Sequence, residues 1–119
     1  IMELTGGKGE VLSEKEIESL LDDIHSLGER LVKEGSLSII KEYKQAVKSF
    51  LQAVVRSSIR VEERSSGLNI LNRKKFSLLK VVNEKLEKLA AGVLQTQYNQ
   101  MEILRRLDEI HGLLVDLLH

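Results

Sequence analysis

The chain has no proline, no cysteine and no tryptophan, and Tyr and Phe occur only twice each. Each absence excludes something. Proline inside a helix costs roughly 3 kcal/mol, so 119 residues without one are free to be almost entirely helical. Lack of Cys rules out disulfides, a thiol nucleophile and thiolate ligands for zinc or iron–sulfur clusters. That suits a reducing compartment, and a cytoplasmic protein is expected. No apolar run reaches the roughly 18 residues that span a bilayer, so no membrane partner is expected. The length suits one domain with a single modest core.

Acids and bases balance at 18 each, which argues against a dedicated nucleic-acid or membrane binder. The charge is nevertheless unevenly placed. Glu10 to Glu34 carries eight acids against three bases, and Arg56 to Lys80 seven bases against two acids. Such asymmetry either draws two parts of one molecule together, the default expectation, or steers a partner.

What is present is helical patterning. Steps of three and four from Leu79 land on Val82, Leu86, Leu89, Val93, Thr96, Gln100, Ile103, Leu107, Ile110, Leu114 and Leu117. All but Thr96 and Gln100 are apolar, which is the stripe of a helix facing a partner. Upstream, Ser13 and Glu16 have the spacing of a capping box. Ile17, Leu20, Leu21, Ile24, Leu27 and Leu31 form the stripe of helix 1, and Gly35 closes it. Helix 2, capped by Ser36 or Ser38, repeats Ile40, Tyr43, Val47, Phe50, Val54, Ser57 and Val61, widened by Ala46, Leu51, Val55 and Ile59. So broad a stripe needs two neighbours, which a hairpin of two helices cannot supply.

Ser65-Ser66-Gly67 ends helix 2, and Leu68 to Asn72 reads as a connection. Helix 3 is expected from about Lys75, with Phe76 as a core anchor and Leu78, Leu79, Val82, Leu86, Leu89 and Val93 facing inward. Gly92 should weaken it slightly. The polar run Gln95 to Gln100 reads as a turn, with Asn99 and Glu102 at capping-box spacing. Helix 4 then places Met101, Ile103, Leu104, Leu107, Ile110, Leu113, Leu114 and Leu117 inward.

The fold expected is all-α, an up-and-down antiparallel four-helix bundle over residues 13–119, preceded by a flexible tail at 1–12. The alternative is one C-terminal rod of about 42 residues, about 63 Å long, with two shorter helices, covered by a second chain as a dimer. Monomer and homodimer both remain open. Because the chain opens at Ile1, it is expected to be a piece of a longer protein.

Candidates for chemistry are few. Thr5-Gly6-Gly7-Lys8-Gly9 lacks the spacing of a phosphate-binding loop. Leu21-Asp22-Asp23-Ile24-His25 and Leu107-Asp108-Glu109-Ile110-His111 form a near-repeat, with an acid and a His three apart on two helices. Carboxylate-bridged di-iron bundles use such pairs pointing inward. With Ile24 and Ile110 central to their stripes, each His falls about 100° away, at the core edge, and Asp22 and Asp108 about 160° away. A metal site is therefore not expected. No serine elbow or converging carboxylate pair marks an enzyme, so no catalytic residues and no cofactors are expected. Arg56, Arg60, Arg64, Arg73, Lys74 and Lys75 form a basic surface, with Arg73-Lys74-Lys75 at the positive end of the helix 3 dipole, where cations are disfavoured. That triplet is the strongest local hint of an anionic partner.

Taken together, several runs resemble the YaaR-like family of small bacterial proteins. They are Leu20-Leu21-Asp22-Asp23-Ile24 with Gly28-Glu29-Arg30-Leu31, Tyr43-Lys44 with Val47-Lys48-Ser49-Phe50, Val82-Asn83-Glu84-Lys85-Leu86 with Leu89, and Ile110-His111-Gly112-Leu113-Leu114-Val115-Asp116-Leu117. The resemblance implies an up-and-down four-helix fold of unknown function, with no catalytic or cofactor residues to carry over. It also implies that an extended N-terminal segment, typical of the family, is missing here. The functional expectation is a non-enzymatic module acting through a protein partner. The alternative is weak binding of nucleic acid or another anion at the basic helix 2–3 end.

Overall fold

A computed structural model describes residues 13–64 and 69–118, with the side chains of 58–72 outside the description. The expected tail at 1–12 and the Ser65–Leu68 link also lie outside the described residues. Four helices follow one another: α1 Glu14–Glu34, α2 Leu37–Arg64, α3 Asn69–Leu94 and α4 Gln100–Leu118. No strand occurs among the described residues.

Local chemistry sets the boundaries. Ser13 Oγ accepts from the Glu16 backbone N–H at 3.2 Å, while the Glu16 carboxylate accepts from the Ser13 N–H at 2.8 Å. This capping box satisfies two N–H groups that have no helical partner. At the other end Gly35 turns left-handed, φ 58°, and its N–H returns to Leu31 O. A side chain would be strained there, which is why glycine ends α1. Ser36, rather than Ser38, starts α2: its hydroxyl accepts from the Ile39 N–H at 3.2 Å.

α1 packs on α2, α2 on α3 and α3 on α4, and α4 closes the ring against α1. Short connections make consecutive neighbours antiparallel, so the molecule is a four-helix bundle and the final segment is not one rod. The break falls at Gln95–Asn99, where Thr96 has φ 53°. Asn99 Oδ1 accepts from the Glu102 N–H at 2.8 Å. Only half of the second capping box forms, because the Glu102 carboxylate turns to Arg105 and Arg106 instead.

Tyr43, Phe50, Ile24, Leu31, Leu86, Leu89, Ile110 and Leu114 are almost fully buried at the centre. Fully burying such side chains stabilises the fold by roughly 1.5–3 kcal/mol each. The Lys44–Glu87 and Lys85–Glu109 ion pairs, both at 3.0 Å, cross the α2–α3 and α3–α4 seams at the surface. Exposed pairs of this kind add little energy, but they mark the register between helices.

Three expectations change. α3 begins at Asn69, not near Lys75, because Asn is tolerated where the first N–H groups lack helical partners. Phe76 is 45% exposed rather than a core anchor. Met101 and Leu104 are 76% and 44% exposed, because the seam runs through Ile103, Leu107, Ile110, Leu114 and Leu117. Each of the two outward residues is rotated about 100° or more from the seam's axis.

Candidate functional site

The basic surface is only partly gathered. Arg73 and Lys74 are exposed and Lys75 is half-buried on α3; Arg56 is exposed on α2 beside Leu79 and Asn83. The side chains of Arg60 and Arg64 lie outside the described residues. Since α3 starts at Asn69, Arg73-Lys74-Lys75 sits in its second turn rather than its first. The dipole effect fades within the first turn, so the triplet occupies an ordinary helical position. Among the described residues, no ion pair joins the acids of α1 to Arg56, Arg73, Lys74 or Lys75. The expected attraction between the two charged segments therefore takes no such form among those residues.

The α1–α4 seam holds a more organised cluster. Antiparallel packing lays the two halves of the near-repeat across from each other, and the rings of His25 and His111 come within 5.2 Å, inclined at 54°. Both lie at the core edge: His25 is exposed and His111 half-buried, while Asp22 and Asp108 face solvent. His25 Nε2 lies 3.7 Å from the Glu29 carboxylate. Among the described residues, His111 Nδ1 is buried and makes no hydrogen bond. The rings border a cleft whose walls include Ile24, Val32, Leu104 and Leu107, with Tyr43 behind and Glu29 and Asp108 at the rim. Burial pushes the Tyr43 hydroxyl far above its ordinary pKa. Gly28 completes the lining. A Cβ there would meet Leu107 and Tyr43 at 3.5 and 3.6 Å, ordinary contact distances.

Periodicity placed each His at its own stripe edge but did not bring the two together. The signal was available: each follows an Ile on the stripe centre, and the stripes face each other. Among the described residues, no three or more His, Asp or Glu side chains converge as metal ligands.

A second cluster locks the α3–α4 turn. The Arg106 guanidinium stacks 4.3 Å from the centre of the Tyr98 ring, a cation–π contact. Arg106 Nε donates to Glu102 at 2.7 Å and Arg105 Nη2 at 2.6 Å. The Arg105 bond holds the Glu102 carboxyl below the usual carboxylate range. Gln100 Nε2 donates to Val32 O at 3.0 Å, tying the start of α4 to the last turn of α1. Of the five large apolar side chains exposed among the described residues, Leu37, Leu94, Met101 and Leu104 lie near this end.

Fold and clusters define the class: an up-and-down four-helix bundle with a polar pair set into one seam and an apolar rim around one end. The chain belongs to the family described as "Protein of unknown function (DUF327)", whose model matches residues 3–118. It is 31% identical over 98 residues to the "Uncharacterized protein YaaR" of Bacillus subtilis (strain 168), covering 82% of this chain and 67% of that protein. No solved structure matches. No helix among the described residues is long and apolar enough to cross a membrane.

Proposed function

We propose that this domain is a non-enzymatic, cytoplasmic interaction module that engages a protein partner through the end bearing the α1–α2 and α3–α4 turns. One observation carries the reading: Leu37, Leu94, Met101 and Leu104 are 52%, 54%, 76% and 44% exposed near that one end. Clustered exposed apolar side chains rimmed by polar groups are a feature of partner sites. Met adds an adaptable surface, because its unbranched, polarizable chain fits irregular partners. Glu102, Arg105 and Arg106 supply a charged border next to Met101, as the polar rim of an interface does.

The test is affinity capture from a bacterial lysate with the wild-type chain and a Leu94→Ser, Met101→Ser, Leu104→Ser variant. A reproducible partner lost in the variant supports the reading. A partner held equally by both, or no partner at all, counts against it.

The second reading is an anion site on the α2–α3 edge, supported by the exposure of Arg56, Arg73 and Lys74. Its affinity would come from phosphate contacts and fall steeply with salt. Changing Arg64, Arg73, Lys74 and Lys75 to Ala should then weaken DNA or RNA binding at about 50 mM salt. Equal binding by wild type and variant ends that reading.

A further inference from the structure

We propose that this chain associates with further copies of itself head to tail, the basic α2–α3 edge of one copy seating Phe76 against the acid-rimmed α1–α4 cleft of the next. The starting point is a charge pattern that the fold leaves unused. Residues 73–80 carry four bases and no acid, and residues 43–61 of α2 carry four more, again with no acid. α1 carries seven acids against three bases. In the ring of helices, α1 packs on α2 and α4, and α3 packs on the same two. α1 and α3 therefore stand at opposite corners, and the α2–α3 seam faces away from the α1–α4 seam. One molecule cannot fold its basic edge onto its acidic one, but a second copy can present it.

The two surfaces also match in kind. Phe76 is 45% exposed, an aromatic side chain without a place in the core. Arg73 and Lys80, three before and four after it, share its helix face, and both are exposed. Leu79 and Asn83, the α3 residues beside Arg56, continue the line of Phe76 along the seam, so Arg56 belongs to the same edge. The cleft offers Ile24, Val32, Leu104 and Leu107 as walls, with Glu29 and Asp108 at its rim. Among the described residues, no Lys or Arg lines it. An aromatic anchor between cations thus meets an apolar cleft between carboxylates. Aromatic side chains are enriched in the cores of interfaces, and complementary charge around them selects which surfaces pair.

Because the two surfaces lie on opposite faces, the contact is heterologous. A dimer leaves one surface of each kind free, and addition continues into rings or filaments. Zero net charge keeps repulsion between whole copies low. The inference goes beyond the partner surface at the turn end, with which it shares only Leu104, and it requires no other protein.

The experiment is sedimentation velocity of the purified full chain over a concentration series at about 0.1 M and about 1 M salt, where charges are screened over about 10 and 3 Å. Wild type is expected to grow in mass with concentration at the lower salt and to shift toward monomer at the higher. An edge variant (Arg73→Ser, Phe76→Ser, Lys80→Ser) and a cleft variant (Glu29→Lys, Asp108→Lys) should each stay monomeric. Mixed, they should form a dimer and stop there, because the intact cleft of one meets the intact edge of the other. All the side chains changed are exposed, so both variants keep the fold. Wild type that stays monomeric overturns the proposal but leaves the lysate test of the turn end untouched. Growth that survives in either variant, or a mixture that does not pair, overturns it as well. So does growth abolished by Leu94→Ser with Met101→Ser, which assigns the contact to the turn end, or growth seen only with added DNA, which assigns the basic edge to an anion.

Discussion

Tyr98 lies against Gly92 so closely that a Cβ on Gly92 would overlap the Tyr98 ring. The glycine lowers the helix propensity of α3, yet it is what lets the α3–α4 turn fold back onto the last turns of that helix. Arg106 covers Tyr98 from another direction, so the ring has little room to retreat. Gly92→Ala is therefore expected to destabilise the bundle by about 1–3 kcal/mol through overpacking. In a Tyr98→Ala background the same change should become neutral or stabilising, because only helix propensity is left. Denaturant unfolding of the four chains measures the coupling; additive effects would show that Tyr98 is not the obstacle.

Thr96 holds φ at 53°, a conformation that costs an ordinary L-residue roughly 1–2 kcal/mol. Its hydroxyl donates to Gln95 O at 2.6 Å at an exposed position, a bond water can replace. Thr96→Gly should raise stability by up to about 1 kcal/mol. A fall in the denaturation midpoint would mean that the hydroxyl matters more than the backbone.

These two residues show where sequence reading succeeds and stops. Gln95–Asn99 reads as a break because it interrupts the apolar repeat, and the capping side chains of Ser13 and Asn99 lie at fixed offsets along the chain. The closed ring followed from the broad stripe of α2, which demanded two neighbours. Gly92 looked like a mild weakness because its reason, the Tyr98 ring, arrives from across a turn. His25 and His111 were visible as a repeat, but their contact is a property of how α1 and α4 are aligned. Met101, Leu104 and Phe76 read as inward from their hydrophobicity, which says nothing about the side of a helix on which a residue falls. The start of α3 reads too late in the sequence because Asn69 and Asn72 have turn chemistry, although helix ends accept Asn as well.

Gly112 lies inside α4, and a Cβ there would meet nothing within 4 Å. Gly112→Ala should stabilise the fold by about 0.5–1 kcal/mol. Gly28→Ala should move in the same direction, since its Cβ would make ordinary contacts. Tm measured for both variants checks this, and a clear loss for Gly28→Ala would show that the cleft cannot accept the methyl.

The capping box gives a pH dependence. The Ser13 backbone N–H, followed by its hydroxyl, holds the Glu16 carboxyl below the usual carboxylate range. A carboxyl lowered by folding contributes stability that is present above its unfolded pKa and lost as pH falls through the folded one. Tm should therefore drop between about pH 5 and pH 3, and less steeply in Glu16→Gln, which cannot ionise. Parallel slopes would place the acid sensitivity elsewhere, with Glu109 the next residue to change, since a bond from Lys85 lowers its carboxyl too.

Ring closure has a consequence for the order of events in folding. Three of the four seams join consecutive helices, and such local pairings form quickly because little chain must be brought together. Among the described residues, the seam of α1 against α4 joins elements far apart in sequence; the bond from Gln100 to Val32 O spans 68 positions. That seam has the largest loop-closure entropy to overcome. It should be the last to zip up, and hydrogen exchange should find it among the first to breathe. The imidazole pair and the apolar rim both border this latch, so whatever binds there would act on how often the bundle opens as well as on its surface.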